Sequence, residues 1–213
     1  MQIAIPIYDR FTALDAVGPY DVLSRLPDAR VEFVAVEPGP KRTETGMLAL
    51  VADRSLDEVP SPDVVVVPGG MGNRELLDDE ALLGWLRAAH ETSTWTTSVC
   101  TGSLLLAAAG ILDGLEATTH WLARDTLAEL GAKPVERRVV EQGKVVTAAG
   151  VSAGIDMALT LAARIAGDDV AKAIQLGIEY APEPPFDAGS DRTAPPEIVE
   201  VVRALMGGAV APA

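Results

Sequence analysis

The apolar residues of this chain gather in short runs separated by longer amphipathic stretches. IAIPIY (3–8), VEFVAV (31–36), DVVVVPGG (63–70), TWTTSVC (94–100) and KVVTAAG (144–150) are rich in β-branched residues. In VVVV every position is apolar, which suits a strand covered on both faces of a parallel sheet. Between these runs apolar positions recur at helical spacing, predicting helices over 14–26, 79–90, 103–111, 121–130, 154–165, 169–180 and 197–206. Their ends carry the usual signals. Acids open and Arg87 and His90 close the stretch at 79–90, and glycines at 110, 131 and 167 stop three others. Residues 133–147 read as a hairpin turning at Gln142-Gly143, added to a parallel core. A short tail, GGAVAPA, follows the last helix and is expected to fray.

Strand and helix alternating along the chain predict an α/β fold, a mainly parallel sheet with helices on both faces. The 213 residues suit one domain spanning 1–213, with no internal repeat and no dividing linker. A net charge of −14 argues against nucleic acid or an anionic membrane as partner, since phosphate binding needs clustered Lys and Arg. No segment has the run of about 18 apolar residues that a membrane span requires. The N-terminus, MQIAIPIYDR, lacks a basic region followed by an apolar one, so no signal peptide is expected. A single cysteine excludes an intramolecular disulfide and fits a reducing, cytoplasmic compartment.

In such folds, sites form where loops leave the carboxyl ends of strands. Three stretches qualify: Pro68-Gly69-Gly70, Cys100-Thr101-Gly102 and Gly150-Val151-Ser152-Ala153-Gly154. Cys100, between a strand and a helix, is expected to feel the helix N-terminus and nearby amides, both of which favour thiolate. It reads equally as a buried, inert thiol. Gly69 and Gly70, with the Thr101 amide, are candidate donors for an oxyanion, or merely a turn. Asp15 reads as a first-turn helical aspartate or as the acid the thiol needs. Asp21 reads as surface charge. His120 is open between a structural and a catalytic role, and His90 reads as a helix-end residue. Two distant histidines and one cysteine give no metal-ligand cluster, and no cofactor is implied.

DVVVVPGG, then SVCTGSLLLAAAGILDG, then ATTHW, together resemble the DJ-1/PfpI superfamily, and the resemblance runs on through VVTAAGVSAGIDMAL to IQLGIEYAPEPPFDAGS. It implies a flavodoxin-like three-layer sandwich with Cys100 on a nucleophile elbow, and a homodimer. Many members place a glutamate beside the cysteine; in LDAVGPYDVL the aligned acid is Asp15. Its carboxyl reaches about 1.5 Å less from the backbone. With Cys100-Thr101, that departure resembles the branch hydrating isonitriles to N-substituted formamides. The resemblance implies thiolate attack by Cys100 on the isonitrile carbon, a proton from Asp15, and a thioimidate that water resolves. Thr101 would join the two catalytic residues through its amide and hydroxyl, while Gly69, Gly70, Gly102 and His120 would bind the oxyanion and the substrate. Two alternatives remain: a glyoxalase or hydrolase acting on small oxoaldehydes through a hemithioacetal at Cys100, and a non-enzymatic redox sensor. Similar signatures also occur in AraC-type regulators, whose DNA-binding region would find no room after residue 190.

Overall fold

The computed structural model describes residues 1–207. The strands are β1 (Gln2–Pro6), β2 (Arg30–Ala35), β3 (Gly39–Arg42), β4 (Ala49–Ala52), β5 (Arg54–Ser55), β6 (Val64–Val67), β7 (Trp95–Val99), β8 (Glu116–Ala117), β9 (Lys133–Pro134), β10 (Val139–Gln142) and β11 (Val145–Ala148). The helices are α1 (Ala13–Leu23), α2 (Glu80–Thr92), α3 (Gly102–Ala108), α4 (Arg124–Glu129), α5 (Ala153–Ala166), α6 (Asp168–Gly177) and α7 (Pro196–Gly207).

Seven strands form one sheet in the order β10-β11-β7-β6-β1-β2-β5, every neighbour parallel except β10 on β11. The fully apolar β6 is buried at all four positions, as its lack of alternation predicted. The helices pack in two groups, α1 with α5 and α6, and α2 with α3 and α4. The right-handed rule for crossovers between parallel strands puts one group on each face. This is the mostly parallel, flavodoxin-like sandwich that the sequence pattern and the resemblance implied.

All five long apolar runs become strands, each trimmed at its carboxyl end so that the PGG, Cys100 and Gly150 positions fall in loops. The 121–130 helix splits into a 3-10 turn at Trp121–Ala123 and α4. The predicted hairpin is real but shorter: only β10 and β11 form it, while Lys133–Pro134 pairs with β8. A second hairpin, β3–β4, escaped the pattern because GPKR is polar and ALVA only four residues long. Met71–Leu76, to which the sequence pattern assigned no element, forms a 3-10 helix. The tail beyond Gly207 lies outside the described residues.

What matters for chemistry is parallelism. Strands β1, β6, β7 and β11 are adjacent and run the same way, so their carboxyl ends open on one edge. The chain reverses its winding direction between β1 and β6, the switch point at which loops splay apart.

Candidate functional site

Cys100 is the first residue beyond β7 and has φ +57°, a left-handed conformation that non-glycine residues seldom adopt. Its backbone is held there from several sides. The Cys100 N–H donates to both Ala148 O (3.1 Å) and Ala149 O (3.0 Å) at the end of β11. Its carbonyl accepts from the hydroxyls of Ser103 (3.2 Å) and Thr119 (3.1 Å). Asn73 Nδ2 donates to Thr101 O at 2.7 Å. A strained residue persists only when its surroundings over-determine it. The turn into α3 needs Gly102 as well, because a Cβ there would lie 2.1 Å from Val67 O. Gly102 is therefore required for close packing at the base of the elbow.

Asp15 is not the helix cap. Thr12 occupies that position, and its hydroxyl goes to Glu44 Oε2 (3.0 Å) instead of capping α1. Asp15 lies three residues inside the helix, fully buried, and turned away from its own backbone. Its Oδ2 accepts the Gly69 N–H at 2.9 Å, while Oδ1 is buried with no hydrogen-bond partner among the described residues. The Cys100 thiol is the polar neighbour of this carboxyl. Burial pushes the Asp15 pKa up to about 8, against the Gly69 hydrogen bond, and the charge of Glu44 adds to the rise. Burial, then the Asp15 charge, push the Cys100 thiol far above its ordinary value, although the amides of Val151 and Thr101 and the Thr101 hydroxyl favour its thiolate. The resting thiolate expected from the sequence gives way to a protonated thiol beside a protonated acid. Desolvation outweighs a helix of only seven residues.

The PGG loop also differs from expectation. The Gly69 N–H is taken by Asp15, and the Gly70 N–H donates to Thr101 Oγ1 at 3.0 Å. Neither amide is left for an oxyanion; both instead position the two side chains flanking the thiol. A Cβ on Gly69 would sit 2.5 Å from Thr101 N and 3.0 Å from Asp15 Oδ2, so its bareness lets three elements converge. The donors that reach sulfur are Thr101 and Val151.

His120 lies against the loop carrying Val151, with its Cδ2 only 2.8 Å from where a Gly150 Cβ would be. Burial and the Arg124 charge hold its pKa down, so the ring is neutral at pH 7, and Nδ1 accepts from Leu122 N (3.4 Å). It is not among the groups acting on the thiol. His90 is held by Thr96 Oγ1 at 2.8 Å, remote from the site. Among the described residues no group of three His, Cys, Asp or Glu side chains could hold a metal. Sequence reasoning missed Tyr8, Glu44, Asn73 and Thr119. Tyr8 carried a signal, being a polar residue just past a strand's carboxyl end. Val151 lay in the third loop singled out, but nothing marked its amide.

Residues 1–164 match the DJ-1/PfpI family. The chain belongs to the DJ-1/PfpI family. Over 203 residues it is 46% identical to isonitrile hydratase from Pseudomonas putida, covering 95% of this chain and 89% of that protein. Its fold matches the crystal structure of a ThiJ/PfpI family protein from Pseudomonas syringae with TM-score 0.94 and 37% identity, over 97% of this chain and 86% of the other. Drosophila melanogaster DJ-1beta shares the fold at TM-score 0.77 and 21% identity, over 85% and 98% of the two chains.

Proposed function

We propose that this protein hydrates isonitriles to N-substituted formamides, with Cys100 as nucleophile and Asp15 as acid and base. The observation that carries the reading is the buried Asp15–Cys100 pair, in which burial raises both groups and so favours their protonated forms. Similarity to the Pseudomonas putida hydratase supports it.

An isonitrile carbon must gain a proton and a nucleophile, and the neutral pair holds both. Asp15 gives its proton to the terminal carbon as sulfur bonds to that carbon, and the resulting carboxylate takes the thiol proton. The product is a thioimidate, R–N=CH–S–Cys100, with Asp15 again an acid. Water then adds to the carbon with Asp15 carrying its proton towards nitrogen, giving R–NH–CH(OH)–S–Cys100. The C–S bond breaks, the hydroxyl proton returns to sulfur through Asp15, and R–NH–CHO leaves. The amides of Thr101 and Val151 stabilise the charge that builds on the departing sulfur. Burial serves this scheme, because it keeps the proton on Asp15 in a range where a free aspartate has lost it. We further propose that the protein is a homodimer, as its family resemblance implies, and acts in the cytoplasm, which its single cysteine fits.

The test is direct. Purified protein incubated with cyclohexyl isocyanide should yield N-cyclohexylformamide, resolved by chromatography. Cys100→Ser and Asp15→Asn should each lower the rate by at least about 100-fold, the usual scale for a lost acid–base or nucleophilic group. No formamide above buffer, with methylglyoxal consumed instead, overturns the assignment.

A further inference from the structure

Tyr8 follows β1 at the edge where the site lies, and is buried. Its hydroxyl donates to the Pro68 carbonyl at 2.8 Å. That carbonyl belongs to the same peptide group as the Gly69 N–H, which donates to Asp15 Oδ2 at 2.9 Å. A peptide unit is planar and conjugated, with C=O and N–H pointing in opposite directions. A donor on its oxygen draws electron density away from nitrogen and strengthens the N–H as a donor, the cooperative effect seen in hydrogen-bond chains.

From this placement we propose that Tyr8 is a positioning residue for Asp15, acting through the Pro68–Gly69 peptide. The phenol fixes and polarises the one peptide whose N–H grips the carboxyl. The inference rests on reading Asp15 as the acid of the reaction. Tyr8 touches neither substrate nor reacting atoms in this scheme. Its own proton stays in place: burial, then the charges of Asp15, Cys100 and Glu44, hold the phenol well above its ordinary value. The titratable groups acting on the Asp15 carboxyl are Glu44 of the β3–β4 loop and Cys100 of the elbow. Neither bonds to the Pro68 carbonyl, so substitution at Tyr8 isolates the relay from both.

The experiment titrates Asp15 without relying on turnover. Its protonated carboxyl is identified as the infrared band that Asp15→Asn removes, and is followed from about pH 5 to 10 in the whole protein. Tyr8→Phe weakens the Gly69 bond to the carboxylate and should move the midpoint up by about half a pH unit. Site-specific 3-fluorotyrosine in place of Tyr8 makes the hydroxyl a stronger donor and should move the midpoint down. Loosened packing cannot move the two variants in opposite directions. Opposite shifts establish the relay; no shift, or shifts of one sign in both folded variants, overturn it. Should Tyr8→Phe fail to fold, the fluorinated variant alone decides, a fall supporting the relay and an unchanged midpoint refuting it. A protein without isonitrile turnover still titrates, so failure of the hydratase assignment would be seen separately. Where turnover occurs, the alkaline limb of kcat/KM should move with the infrared midpoint.

Discussion

At the scale of single residues, the proposed chemistry turns on the displaced pKa of Asp15. With Asp15 pushed up to about 8 and required as an acid, kcat/KM should be flat below neutral pH. It should then fall about tenfold per unit above about 8. Initial rates of formamide formation from pH 5 to 10 check this, and a profile rising through pH 8 would refute the acid role. The same shift has a consequence for folding. In the unfolded chain an aspartate titrates near about 3.9. Below that value both states are protonated. Between there and about 8 the folded state keeps a proton that the unfolded state releases, so stability from this group is lost as pH rises through that window. Asp15→Asn has no such proton, so its Tm advantage over the parent should widen from pH 4 to pH 8, by calorimetry. A gap constant across that range would mean Asp15 is not buried as an acid. Cys100 and Asp15 could be picked out from their sequence surroundings, with Asp15 as the proton donor, yet the protonation of Cys100 could not. That depends on desolvation, which only the packed site reveals.

At the scale of elements, the loops matter through what they leave out. Gly69→Ala puts a methyl within 2.5 Å of the Thr101 amide and 3.0 Å of Asp15 Oδ2. The loop must shift and its bond to the carboxyl must break. We expect at least a 100-fold loss in kcat with little change in far-ultraviolet circular dichroism, on the scale of misplacing a group by about 1 Å. Activity within a few-fold of the parent would show that the PGG loop can relax. The glycines of PGG stood out in the sequence, but as oxyanion donors; their amides turn out to be committed to Asp15 and Thr101. The end of α2 shows a similar displacement. Sequence reading gave its C-terminus Arg87 and His90 as local cations. Instead Arg87 pairs with Glu80, and Lys144 from the β10–β11 turn reaches the carbonyls of His90, Glu91 and Ser93. Helix-end electrostatics were anticipated correctly in kind, but the charge is imported across 51 residues of sequence, where local pattern has no reach.

At the scale of the whole molecule, the open question is what holds the chain after α6 against the body that carries the site. The connection leading to α7 is largely exposed, with one anchored acid, Asp191. Arg124 at the start of α4 makes two bonds to it, at 2.8 and 3.2 Å, and Arg203 of α7 lies 5.0 Å from the Trp121 ring centre. The Arg124 and Asp191 side chains are only 25% and 16% exposed, so water screens them less than it does the other ion pairs of this surface. Partial burial draws the Asp191 carboxyl upward, yet the hydrogen bond and charge of Arg124 outweigh it and hold its pKa below the usual value. A depressed carboxylate contributes stability that is present above about pH 3.9 and lost as pH falls through its folded value. Arg124→Ala and Asp191→Asn should therefore each release the connection, and a double-mutant cycle should show a coupling of about 1 kcal/mol or more, above most surface pairs. The readout is limited proteolysis between residues 181 and 195: faster cutting in either single variant, no further gain in the double, and the parent approaching the variants as pH falls. Equal cutting rates in parent and variants would mean that another contact holds the segment. Both partners also act on the His120 ring, Arg124 lowering and Asp191 raising its pKa, so the same pair links the far end of the chain to the loop that carries Val151. A salt bridge spanning 67 residues of sequence joins two stretches that each read as ordinary surface, which is why the placement of the C-terminal region could not be read from the sequence alone.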